Sequence, residues 1–99
     1  MATRAVRGGM CRNIKPLFNF TPPATDDDVR AAALQFVRKI AGTNAPSKKN
    51  AEAVERAVEA IYASSKALLE ELVTTAPPRD RVSFEQVQKM KFQKRQAQR

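Results

Sequence analysis

A stretch of about 29 residues without glycine or proline, from Ser47 to Thr75, constrains the fold of this chain most strongly. Its apolar residues recur at alternating steps of three and four, which is the spacing of a helix that packs against a second helix along its length. At about 1.5 Å per residue, this helix would be roughly 43 Å long. The residues that define its packing seam are Val54, Val58, Ile61, Leu68 and Leu72.

A second helix is predicted just upstream, from about residue 26 to residue 41. Thr25 and Asp28 have the spacing of a capping box, so we read the three consecutive aspartates as a helix start in preference to a Mg²⁺ site. Gly42 follows the last turn, where a left-handed backbone is usual. Because the connector to Ser47 is short, the two helices should be antiparallel neighbours. The predicted fold class is therefore all-α, an antiparallel helical hairpin of about 26–41 and 47–75.

An extended N-terminal arm is expected before the hairpin, because Pro16 interrupts any regular helix through residues 10–20. The aromatic residues Phe18 and Phe20 either cover the helices or, with their basic and amide neighbours, stack on RNA bases. We favour the packing interpretation. The chain is divided into a basic flexible extension (1–9), a small helical domain (10–81) and a basic C-terminal helix or tail (82–99).

The C-terminal segment is predicted to form a short basic helix. Ser83 and Gln86 fit a capping box, and an apolar stripe begins at Phe84. The final residues carry many cations and few apolar side chains. We therefore expect an arm that becomes fully ordered on a partner.

The net charge of +8 is concentrated at the two ends of the chain. Residues 1–24 contribute about +4 and residues 79–99 about +5, whereas the helical middle is nearly neutral. Such a distribution is typical of contact with a polyanion, most often nucleic acid. The residues that we predict to contact RNA phosphates are Arg4, Arg7, Arg12, Lys15, Arg79, Arg81, Lys89, Lys91, Lys94, Arg95 and Arg99.

Residue types that catalysis or metal binding usually needs are scarce. The chain has one cysteine and no histidine, so one chain cannot build an internal disulfide or a tetrahedral zinc site. It also lacks the commonest general base at neutral pH and any glycine-rich phosphate loop. Arg12 could activate the thiol of Cys11, but we favour an incidental cysteine. We predict no enzymatic activity, no cofactor and no metal.

Four segments of the chain have long and specific motifs. They are Met10-Cys11-Arg12-Asn13-Ile14, Asn19-Phe20 with Pro22-Pro23-Ala24-Thr25-Asp26, Arg30-Ala31-Ala32-Ala33-Leu34-Gln35-Phe36-Val37-Arg38-Lys39, and Leu72-Val73-Thr74-Thr75-Ala76-Pro77-Pro78-Arg79-Asp80-Arg81. Over about residues 10–81, the chain resembles a family of short, mostly bacterial proteins catalogued only as a domain of unknown function. The resemblance implies membership but no activity. The extension in front and the basic tail depart from the family and suggest an adapted member with a new attachment.

The expected function is a non-catalytic, basic subunit of a larger assembly, a ribonucleoprotein such as an organellar ribosome. Its partners would be RNA and neighbouring proteins. The alternative is a protein–protein interaction module that uses the packing seam without RNA, including a homodimer through the long helix. We expect no membrane insertion and infer no small-molecule substrate.

The acid-free, arginine-bearing start has some character of an organellar transit peptide, although an unstructured basic tail explains it equally well. We expect the mitochondrial matrix or another organelle, otherwise the cytoplasm, and no secretion.

Overall fold

The computed structural model describes residues 13–97, and these residues are mostly helical, as predicted. No helix in this range is long and apolar enough to span a membrane. In chain order the elements are β1 (Phe20–Thr21), α1 (Asp26–Ala41), α2 (Lys48–Glu71), β2 (Arg79–Asp80) and α3 (Arg81–Ala97).

The ends of α1 form as the sequence predicts. The Thr25 hydroxyl accepts a hydrogen bond from the Asp28 backbone N–H at 3.1 Å, and the Asp28 carboxylate accepts one from the Thr25 N–H at 2.8 Å. This capping box satisfies two N–H groups that have no partner inside the helix. At the other end, Gly42 takes a left-handed conformation with φ of 76° and donates its N–H to the Arg38 carbonyl.

The hairpin of α1 and α2 contains the main apolar core. Ala33, Val37 and Val58 are buried there, and Val54 and Ile61 pack against them. The antiparallel arrangement is shown by an ion pair between Asp26, at the start of α1, and Lys66, near the end of α2, at 3.3 Å. Arg30 and Glu59 form a second ion pair between the same helices. The predicted hairpin is therefore confirmed.

The packing seam is covered over only part of α2. Val58 is buried and Val54 and Ile61 are half-buried, but the side chains of Leu68 and Leu72 are 56% and 42% exposed. The reason is length, because α1 has 16 residues and α2 has 24. Since α1 begins opposite Lys66, Leu68 and Leu72 lie beyond the first residue of α1. These two leucines therefore stay largely exposed within residues 13–97.

Two helix boundaries differ from the sequence-based expectation. α2 ends at Glu71, four residues before Thr75, because Leu72 already has extended backbone angles. α3 begins at Arg81 and not near Phe84. Its first turn is capped by Asp80, whose carboxylate accepts a hydrogen bond from the Ser83 N–H at 2.8 Å. An aspartate that precedes the helix thus performs the capping role that we assigned to Ser83.

Candidate nucleic-acid interface

The N-terminal arm and the segment after α2 meet in a short parallel ladder. Phe20 pairs with Arg79 and Thr21 with Asp80. Asn19 precedes the ladder with φ of 65°, and its carbonyl accepts a hydrogen bond from the Arg79 N–H at 2.9 Å. The Asn19 amide donates to the carbonyls of Ala76 and Pro77 at 3.3 and 3.2 Å. These bonds fix Arg79 beside the aromatic residues of the arm.

Two arginines and two phenylalanines form one cluster at this ladder, which we call the Arg–Phe cluster: Phe20, Arg79, Arg81 and Phe84. The Phe20 ring is 4% exposed and meets Phe84 edge to face, with centroids 5.1 Å apart. The Arg81 and Arg79 guanidinium carbons lie 3.7 and 4.4 Å from the Phe20 centroid. Arg79 also lies 5.0 Å from the centroid of Phe84. Cations at such distances are attracted to the electron-rich ring faces.

Arg81 is committed to internal contacts. Its side chain is only 15% exposed, and its Nη2 donates to the Pro16 carbonyl at 2.6 Å. Its Nη1 is buried without a hydrogen bond and lies 3.5 Å from a carboxylate oxygen of Glu85. Lys15 contacts the same oxygen of Glu85 at 3.1 Å. Of the predicted phosphate contacts, Arg81 and Lys15 therefore join the arm to α3.

Arg79 differs from Arg81 in being exposed. Its backbone is paired with the arm, and its guanidinium lies against two rings. Within residues 13–97 it makes no ion pair with a carboxylate. A planar guanidinium that is already held in place loses little side-chain freedom when it binds, and its N–H groups match the geometry of a phosphate. Arg79 is thus available to an external anion.

The remaining cations of α3 continue from the Arg–Phe cluster along the helix. Lys91 and Arg95 lie about two and three turns beyond Phe84 on the same helix face, or roughly 10 and 16 Å along the axis. Lys94 lies on an adjoining face, about 80° round the helix from Phe84, and Lys89 lies nearer the opposite face, about 140° away. All four are exposed, and none forms an ion pair within the described part of the chain. Arg79 and α3 together provide five exposed cations without an ion pair in residues 13–97, one at the ladder and four along the helix.

The pKa shifts in this region follow from helix capping. The pKa of Asp80 is lowered, mainly by the hydrogen bond from the Ser83 N–H. The pKa of Asp28 is lowered, first by the hydrogen bond from the Thr25 N–H and further by the positive charges of Lys15 and Arg81. Lys15 and Arg81 thus also link the arm and α3 electrostatically to the first turn of α1.

Four of the predicted RNA contacts lie outside the described residues. They are Arg4, Arg7, Arg12 and Arg99, and the same holds for Cys11.

Sequence reasoning missed the Arg–Phe cluster as a unit. It placed Phe20 on the arm and Arg79 after the long helix, almost sixty residues apart, and did not pair them. A signal was present in the two Pro-Pro segments that stand close to Phe20 and Arg79, because proline cannot continue a helix and the residue before it, such as Thr21, favours extended backbone. Extended segments with free backbone groups are able to pair.

A family model described as an uncharacterized conserved protein (DUF2277) matches residues 10–87 of the chain. Comparisons with curated proteins and with solved structures gave no match. The matched range includes the arm, the hairpin, the ladder and the first turns of α3. It therefore contains the whole Arg–Phe cluster and extends beyond residue 81, where the resemblance seen in the sequence ended. The chain belongs to this family of uncharacterized conserved proteins.

Proposed function

We propose that this protein is a small RNA-binding subunit of a larger ribonucleoprotein and contacts phosphates through Arg79 and the basic residues of α3. The observation that supports this most directly is the exposed guanidinium of Arg79, which is held against Phe20 and Phe84 without a carboxylate partner in residues 13–97. The contact is with the phosphate backbone, so binding should depend on salt and little on base sequence.

The structure of α3 supports the same proposal. From Glu85 to Gln96, every side chain is exposed except that of Phe92, which is half-buried. Four of these exposed residues are cations and one, Glu85, is an acid already paired with Lys15. A helix that exposes so much of its surface gains little packing stability from the rest of its own chain. A bound polyanion would neutralise the positive charge of α3.

The proposed setting is an organellar particle such as a mitochondrial ribosome, in which Arg4, Arg7 and Arg12 would add further phosphate contacts. The support for this setting is the acid-free, basic start of the sequence.

The alternative function is a protein–protein interaction module without RNA. It is favoured by the exposure of Leu68 and Leu72, the two seam residues nearest the C-terminal end of α2. A module of this kind would use the hairpin and leave α3 as a charged appendage.

Titration of a fluorescent single-stranded RNA with the full chain, at a series of salt concentrations, tests the proposal. Neutralisation of about one phosphate by each of the five cations would give a log–log slope of up to about −3.5, using roughly −0.7 per phosphate. Replacing Lys89, Lys91, Lys94 and Arg95 by glutamine should remove most of that slope. A slope near zero for the unaltered chain would overturn the proposal.

Arg79→Lys separates a positioned guanidinium from a simple positive charge, because lysine keeps the charge but not the planar fork. We expect weaker binding with an almost unchanged salt slope. The matched control is Arg56→Lys on α2, an exposed arginine that is remote in sequence from the ladder and whose ion pair in residues 13–97 is with Glu52. If both variants bind RNA like the unaltered chain, Arg79 has no special role.

A further inference from the structure

Each end of α2 carries the charge that its own helix dipole disfavours. The helix begins with Lys48 and Lys49 and ends with Glu70 and Glu71, and it has no acid in the first turn and no base in the last. Cations near a helix N-terminus and anions near a C-terminus are each unfavourable, because they face the like-signed end of the helix dipole. Within residues 13–97, neither Lys49 nor Glu71 is in an ion pair. The unfavourable placement of Lys49 and Glu71 is compensated if a helix end of opposite charge lies beside each of these residues.

The face of the hairpin between these charges is apolar and uncovered. A groove of about 550 Å³ runs between α1 and α2, with Ile40, Ala53 and Ala57 among its lining residues. Ile40 is 72% exposed, and Leu68 continues the same face of α2 toward its C-terminal end. Few large side chains of the described chain are buried. This apolar face is therefore surface that a single copy leaves exposed and that a partner could bury.

We propose that two copies of this chain associate through this face, with their α2 helices antiparallel. The symmetric register places Ser64 of one copy opposite Ala57 of the other. Leu68 of each copy then enters the groove of the other beside Ala53. The small side chains at the centre allow the two helix axes to approach closely, and the result is a four-helix bundle of two hairpins.

The same register accounts for the charges. It brings Lys49 of each copy next to Glu71 of the other, because both lie on the side of α2 that carries Ala53 and Ala57. A twofold axis generates this contact twice. The antiparallel orientation also places the N-terminal end of each helix dipole beside the C-terminal end of the other. A parallel pair would instead place Lys49 against Lys49, so the charges select the antiparallel form.

A second copy of α2 suits the groove better than a basic helix does. Lys39 and Lys49 are the sequence neighbours of the groove residues Ile40 and Asn50. A strongly basic occupant such as α3 would bring like charges together there. The pairing does not involve Arg79 or α3, so it stands independently of the proposed RNA contact.

The test is the mass of the full chain in solution after RNase treatment, measured by sedimentation equilibrium over a range of concentrations. We expect about twice the 11.0 kDa chain mass. Lys49→Glu and Glu71→Lys should each weaken the dimer at least about tenfold, because each replaces two attractions by two repulsions. The double variant, Lys49→Glu with Glu71→Lys, should restore association.

The matched controls carry the same changes of charge on the other side of α2. They are Lys48→Glu and Glu70→Lys, and they should leave the dimer within about twofold of the unaltered chain. Circular dichroism establishes that every variant keeps its helices. A single-chain mass at all concentrations overturns the proposal. A dimer that is insensitive to Lys49→Glu, or that the double variant does not restore, overturns the antiparallel α2 interface.

Discussion

Arg81 in the first turn of α3 and Phe20 in β1 are stacked, with the guanidinium carbon 3.7 Å from the ring centroid. The same arginine donates to the Pro16 carbonyl, so one side chain joins α3 to two points of the arm. Together with the ladder, this contact determines where α3 leaves the hairpin. The position of the exposed cations of α3 therefore depends on an arginine that is itself largely buried.

Phe20→Ala should be the most destabilising single substitution in the cluster. The ring is almost completely buried, and its removal eliminates contacts with Phe84 and both arginines. Phenylalanine-to-alanine changes in cores cost about 3–5 kcal/mol in the free energy of unfolding. Urea denaturation at a fixed chain concentration measures the effect. The control is Val82→Ala, because Val82 is an exposed residue in the first turn of α3. This substitution should change the free energy of unfolding by no more than about 0.5 kcal/mol. Equal effects of the two substitutions would contradict the assigned burial.

Arg81→Lys should destabilise the protein although the charge is kept. Lysine loses the planar stack on Phe20 and cannot reproduce the fork that reaches both Pro16 and Glu85. We expect a loss of about 1–2 kcal/mol, since a hydrogen bond from a charged group and a cation–π contact each contribute on this scale. Thermal unfolding followed by circular dichroism is the measurement, with Arg56→Lys as the control. A variant as stable as the unaltered chain would show that Arg81 does not join the arm to α3.

Substitutions of Asn19 should separate backbone strain from hydrogen bonding. Asn19→Gly keeps a residue that tolerates positive φ but removes the bonds to Ala76 and Pro77. Asn19→Ala removes the same bonds and also places a side chain that disfavours this conformation. We expect alanine to be more destabilising than glycine by about 1 kcal/mol. Chemical denaturation of the two variants gives this difference directly, and the reverse order would exclude a left-handed Asn19.

Stability should fall in acid partly through Asp28. Its pKa in the folded protein is below the ordinary value of 3.8, chiefly because the Thr25 N–H donates to the carboxylate. A carboxyl group with a lowered folded-state pKa stabilises the fold above its unfolded pKa, and this contribution is lost as the pH falls toward the folded pKa. Asp28→Asn should therefore flatten the fall in the urea midpoint below about pH 5. Asp27→Asn, which removes no capping hydrogen bond, should retain the slope.

The hairpin could be predicted because its signals are local. The Thr25–Asp28 cap, the left-handed Gly42 and the three-four spacing of Val54, Val58 and Ile61 each depend on neighbours within a turn or two of helix. The extent of packing along α2 could not be predicted in the same way. Periodicity shows which face of a helix is apolar, but the length of the partner helix decides how far that face is covered.

The sequence predicted which charged residues belong to the candidate site. It did not predict how these residues are arranged in space. Net charge identifies Arg79 and Arg81 equally, yet one is exposed and the other is largely buried. The difference arises from contacts between residues distant in sequence, with Pro16 for Arg81 and with the backbone of Asn19 for Arg79. Sequence patterns report local geometry well, whereas such long-range pairings depend on where the arm runs relative to the end of α2.

The ladder between β1 and β2 has a consequence for the order of folding. It closes a loop that contains the whole hairpin, so its formation requires the ends of a long segment to meet, whereas the hairpin forms from contacts closer in sequence. We expect the hairpin to assemble first and the ladder to form after the main kinetic barrier. Substitutions in the ladder should then mainly accelerate unfolding. Arg79 acquires its stacked position only in that last step, so a newly made chain has its hairpin before it has its proposed phosphate contact.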